Sequence, residues 1–119
     1  MADRLQDDEF ELHDLQVVVE SIEGNCTCQM TVGDSVYLKG GKLSLPDGKD
    51  FCLYALQSVI PLLPAKQRIL HPADWMETDT RALCPDPGCK LTMRVDRIAT
   101  RVLRHDDVSP ISWPDKSET

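Results

Sequence analysis

Cations are scarce in this chain. Thirteen lysines and arginines stand against twenty aspartates and glutamates, a formal net charge of −7, and the pI is near 4.8. A phosphate backbone is gripped by a local excess of lysine and arginine, so this balance argues against bare nucleic acid as a partner. It argues equally against an anionic membrane surface. Long apolar runs are missing too: none approaches the roughly 18 residues of a spanning helix. The opening MADRLQDDEFEL is acidic, where an export signal is basic and then apolar. The expectation is a soluble, cytoplasmic protein. Internal repeats and low-complexity tracts are absent. So are the phosphate loop G-x-x-x-x-G-K-[ST], the dinucleotide fingerprint G-x-G-x-x-G, the nucleophile elbow G-x-S-x-G and the zinc-protease helix H-E-x-x-H. Without them the chain has no equipment for ATP chemistry or hydrolysis of its own.

What is present suffices for one domain. The 119 residues are 41% apolar, enough for a compact core and too few for two. Residues 1–13 carry five acids against Arg4 and read as a solvated N-terminal arm. Residues 105–119, with Pro110 and Pro114 and no periodicity, read as a C-terminal arm. Between them, residues 14–104 form the patterned domain. Asp14 to Ile22 alternates as a strand, with Leu15, Val17 and Val19 on one face. Gly33-Asp34 introduces a second strand, Gly40-Gly41 a turn and Pro46-Asp47-Gly48 another. Asp50 is placed to cap a helix whose apolar stripe is Leu53, Leu56 and Ile60, flanked by Cys52, Ala55 and Val59. Pro61 ends it, and Pro64 to Leu70 opens a further short helix. Lys90 to Asp96 alternates as a strand, and its phase slips at Arg97-Ile98, the mark of a bulge or an end. The architecture expected is α+β: a small, mostly antiparallel sheet with one main helix on one face. A core of this size gains from a metal or a partner chain.

Five cysteines, Cys26, Cys28, Cys52, Cys84 and Cys89, are the unusual component. An odd number without an export signal does not describe a disulfide framework. Cys84 and Cys89 enclose Pro85-Asp86-Pro87-Gly88, a bend that turns two sulfurs toward one point, and so form half of a structural zinc site. Cys26 and Cys28, in the Gly24-Asn25 turn, are candidates for the other half. Their single intervening residue is shorter than the usual two to four. His71 is the alternative ligand. Cys52 reads as a core-facing helix residue, and the others are otherwise small buried side chains. No base is placed beside any thiol, which disfavours nucleophilic catalysis. Trp75 and Met76, in an acidic and poorly patterned stretch, are either a core plug or an interface anchor.

The succession Gly33-Asp34, Pro46, Phe51-Cys52, Ala55-Leu56, Pro61, Asp74-Trp75-Met76, Cys84-Pro85-Asp86-Pro87 and Arg94-Val95-Asp96-Arg97-Ile98 resembles a family of small bacterial cysteine-containing proteins that includes the small subunits of acetophenone carboxylases. The resemblance spans residues 14 to 100. It implies a chain without a catalytic site inside a multi-subunit ligase that degrades an aromatic ketone, carboxylating acetophenone to benzoylacetate. ATP and bicarbonate are then used by large hydantoinase-like partner subunits. The related acetone carboxylase has a small subunit thought to bind zinc, which matches the pair Cys84 and Cys89. A free-standing zinc-binding regulatory or interaction module is the alternative expectation. A thiol redox protein is a third, against which stands the lack of a C-x-x-C pair.

Overall fold

Two long strands organise the molecule. In the computed structural model, which describes residues 5–113, β1 (Glu9–Ile22) and β5 (Leu91–Arg104) pair antiparallel along most of their length. β2 (Ser35–Lys39) adds to the free edge of β1, and β3 (Lys42–Ser44) folds back on β2 through the Gly40-Gly41 turn. β4 (Arg81–Leu83) lies along the other side of β5. The sheet is therefore antiparallel throughout, in the order β3-β2-β1-β5-β4.

Period-two alternation decides which face is buried. Leu15, Val17 and Val19 of β1 point inward with Val36 and Leu38 of β2 and with Leu91, Met93 and Val95 of β5. A helical run covers this face: α1 (Leu53–Val59), a 3-10 turn (Ile60–Leu62) and α2 (Leu63–Lys66). The expected fold class, a small antiparallel sheet with one main helix on one face, is what the structure shows.

The helix presents a different stripe from the one expected. Leu53 is 66% exposed and Ile60 is 40% exposed, whereas Cys52, Ala55, Val59 and Leu63 are buried. The buried residues recur at helical spacing, one stripe over from Leu53 and Ile60. Asp50 does not cap it either; the N-cap is Cys52, without a side-chain cap hydrogen bond of full geometry. Asp74 does cap α3 (Trp75–Thr78), accepting from the Met76 amide at 2.9 Å.

The phase slip at Arg97-Ile98 is a bulge: Leu15 pairs with Arg97 and Asp14 with Ala99, leaving Ile98 unmatched. β5 nevertheless continues to Arg104, and β1 begins at Glu9, so residues 9–13 are strand and not a solvated arm. The acids that flank this segment are matched across the ladder. Arg104 bonds Asp8 at 2.6 Å, and Arg101 grips Asp14 with two bonds of 2.9 Å. Beyond the reach of β2 and β4, residues 9–14 and 99–104 form a two-stranded ribbon, an arrangement of marginal stability by itself. The segment after it folds back in part. α4 (His105–Val108) follows β5 directly, the Asp106 carboxylate accepts from the Trp113 amide at 3.0 Å, and the His105 and Trp113 rings lie 5.6 Å apart. The rest of the expected C-terminal arm, 114–119, lies outside the described residues, as do residues 1–4 of the N-terminal one.

Re-aiming by the bulge gives Arg97 its role. Its guanidinium holds both Glu77 oxygens at 2.9 Å and the carbonyls of Lys66 and Arg68 at 2.9 and 3.1 Å. The Lys66 ammonium, itself buried, donates to the carbonyls of Met76 and Asp79. Together these bonds fasten α2 and α3 to the sheet.

Candidate functional site

Two loops meet at the end of the sheet where β1 leaves and β5 enters. The chain after β1 runs alongside the chain before β5: the amides of Glu23, Gly24 and Asn25 donate to the carbonyls of Lys90, Cys89 and Gly88 at 3.1, 3.0 and 3.0 Å. Such an approach requires glycine at position 24. A β-carbon there would lie 2.0 Å from the Gly88 carbonyl oxygen and 2.8 Å from that of Cys89. The three successive bonds carry Cys26 to the neighbourhood of Cys84 and Cys89.

Each loop turns tightly at its cysteines. The Gln29 amide donates to the Cys26 carbonyl at 3.0 Å, and the Cys89 amide to that of Asp86 at 3.1 Å. The Asp86 side chain accepts from the Gly88 amide at 2.9 Å, which fixes the bend between the prolines. Gln29 and Lys90 are the non-glycine residues with positive φ among those described, at 58° and 52°. Each directly follows the second cysteine of its pair. Left-handed backbone costs a non-glycine residue about 1 kcal/mol or more and gathers at sites the surrounding structure has to hold. Here it falls at the same point in both loops.

The thiols have thiol neighbours in two groups, Cys28 with Cys52 and Cys89 with Cys26 and Cys84. Hydrogen bonding to Cys52 is the main reason that the Cys28 thiol is pushed up to about 11, with Cys26 and Cys84 also in its surroundings. Burial, followed by hydrogen bonding with Cys26, pushes the Cys89 thiol up to about 12, and Cys84 contributes as well. Cys52 moves the other way. Burial opposes its thiolate, but the nearby Ala55 and Tyr54 amides and the Cys28 thiol outweigh that and hold it below the ordinary value. All five cysteines are free thiols.

The thiol neighbours of Cys89 are Cys26 and Cys84, and those of Cys28 are Cys52, Cys26 and Cys84. Cys52 is buried in the core, as expected, with Cys28 as its thiol neighbour. His71 stands apart in the turn before α3, exposed, its ring nitrogen 3.0 Å from the Ala73 amide. Trp75, at 64% exposure, fills no core, and the Met76 carbonyl is occupied by Lys66. Among the described residues, no three histidine, cysteine, aspartate or glutamate side chains are grouped so as to hold a metal ion.

The donor set fits zinc chemically. Soft thiolates are its preferred structural ligands. At a Zn–S bond of about 2.3 Å, tetrahedral sulfurs stand about 3.8 Å apart. Scans against family models, curated proteins and solved structures return no match for this chain.

Proposed function

We propose that this chain is a non-catalytic, zinc-stabilised subunit of an ATP-dependent ketone carboxylase, bound to large hydantoinase-like subunits that use ATP and bicarbonate. The convergence of cysteines from three segments, the β1–β2 loop, the start of α1 and the β4–β5 loop, carries the zinc part of this reading. A cation there neutralises thiolates that would otherwise repel, so metal binding and folding are coupled. Cys26, Cys84 and Cys89 supply three sulfurs, and Cys28 or Cys52 the fourth. The choice of carboxylase rests on the sequence resemblance. The surface supports a partner: the ribbon of residues 9–14 and 99–104 has open strand edges, which natural proteins cover, and Trp75, Leu83 and Leu53 are all more than 60% exposed. Exposed aromatics and leucines of this kind become buried anchors in a permanent interface.

Purification of a tagged chain from its native host is the decisive experiment. Two large hydantoinase-like chains and zinc should co-elute with it. A stable monomer that holds zinc and captures neither chain would replace this reading with the free-standing zinc module.

A further inference from the structure

From the outer face of the helical run we infer that a second copy of this chain docks there, antiparallel, with Gln57 opposite its own counterpart across a twofold axis. The inference is independent of the zinc and carboxylase readings, except that it gives Leu53 to the second copy and leaves Trp75 and Leu83 to the large subunits. The run from α1 through the 3-10 turn to α2 covers the sheet with one side, where Ala55, Val59 and Leu63 are buried. On an ordinary surface helix the opposite side is charged. Here it is not. Residues 51–65 are the longest stretch of the chain without an acid or a base. Leu53, Tyr54, Gln57, Ile60, Pro61 and Pro64 are all exposed and recur at helical spacing, with Gln57 the one polar amide among them. A helix that is apolar on both sides is ordinarily buried on both.

Charge selects the occupant. Two chains of net charge −7 repel over most of their surfaces, and this face lets them meet without that repulsion. The loop leading into it, Asp47-Gly48-Lys49-Asp50, is net acidic, and the segment leaving it carries Arg68. Asp50 and Arg68 are exposed, and neither has an ion-pair partner among the described residues. Antiparallel docking brings the acidic end of one copy to the basic end of the other, whereas parallel docking sets like charges together. A twofold contact uses the same patch on both copies. Leu53 of one copy then meets Pro61 of the other, Tyr54 meets Ile60, and Gln57 meets itself. A glutamine amide both donates and accepts, so it can bond its own counterpart. Beside Ile60 an apolar groove lined by Leu38, Leu43 and Leu63 receives the Tyr54 ring. Contact along stripe and groove covers roughly 1,200 Å² in total, the lower end for a specific interface. A dimer of micromolar affinity fits that area.

Sedimentation equilibrium of the full chain at micromolar concentration is the test. The wild type should be a dimer. Gln57→Glu and Gln57→Lys each set like charges across the axis, and each alone should raise the dimer dissociation constant by more than about tenfold. An equimolar mixture of the two variants should restore the dimer, because position 57 then faces an opposite charge. The side chain is exposed, so both variants should fold, and thermal unfolding checks this. A monomeric wild type, a dimer indifferent to Gln57→Glu, or a mixture that stays monomeric would overturn the inference. Capture of the large hydantoinase-like chains by a monomer overturns it and leaves the carboxylase reading standing. A dimer that responds to Gln57 as described and captures neither chain upholds it and removes the carboxylase reading.

Discussion

Gly24 and Gly88 lie in backbone contact: a single β-carbon at position 24 would reach within 2.0 Å of the Gly88 carbonyl oxygen. Gly24 is exposed by area, yet it has no room for a methyl group. The contact sets how near the two cysteine loops come.

Gly24→Ala should therefore behave as a core substitution. The loops must part, and the three amide–carbonyl bonds between them lengthen. We expect a loss of about 2–3 kcal/mol, toward the upper end for single substitutions, with weakened zinc uptake. Chemical denaturation and metal titration would check this; a variant with unchanged midpoint and affinity contradicts the close approach.

On the zinc proposal, Cys84→Ser should lose metal and stability together, since ligand loss and unfolding are linked where a metal supports a small core. Elemental analysis of the wild type should give about one zinc per chain, and the serine variant almost none. Calorimetry should show its transition falling toward that of chelator-treated wild type.

Asp14 makes the stability of the ribbon sensitive to acid. Its hydrogen bonds with Arg101 hold the carboxyl below its ordinary value of 3.8, against the opposing effect of burial. A carboxylate with a depressed folded pKa adds stability above the unfolded value, and that stability fades as pH falls through the folded one. Glu20, bonded to Arg81 and Arg94, shifts in the same direction. Unfolding midpoints should accordingly drop from about pH 3.8 downward. Asp14→Asn should flatten that drop and cost about 1–2 kcal/mol at neutral pH, a figure reduced because Arg101 is partly exposed.

Trp75→Ala should leave the isolated fold nearly unchanged, because the ring is 64% exposed. Assembly with the large subunits should weaken by about 2 kcal/mol or more, as for a buried aromatic anchor. Pull-down titration and thermal unfolding of the free chain separate the two effects. A destabilised free chain with normal assembly would make Trp75 a structural residue.

The parts of this fold that were legible in the sequence are those where neighbours in the chain decide the outcome. The alternation of Leu15, Val17 and Val19 and that of Leu91, Met93 and Val95 each needs only a strand with one buried face. The slip at Arg97-Ile98 is legible for the same reason. Partners distant in sequence decided what was missed. Glu9 to His13 look solvated until Arg101 and Arg104 are placed opposite them. Arg81–Leu83 is a strand because β5 offers an edge and because Glu20 bonds Arg81 through two oxygens at 2.9 and 2.8 Å. The spacing of Cys84 and Cys89 announced a site, but no local pattern could bring Cys52 beside Cys28. Its only sequence signal was arithmetic, as the thiol left over once the two pairs had been assigned.

The β1–β5 ladder has a consequence for how the chain reaches this state. Glu9 pairs with Arg104 and Ile22 with Leu91, so the middle strand of the sheet acquires its main neighbour only after nearly the whole domain has been synthesised. Until then β1 has only the short hairpin of β2 and β3 beside it in the sheet, and its other edge stays unpaired. Pairings this remote in sequence fold slowly and leave apolar edges open to other chains. Closure of the ladder should therefore set the refolding rate, and it also draws the two cysteine loops together.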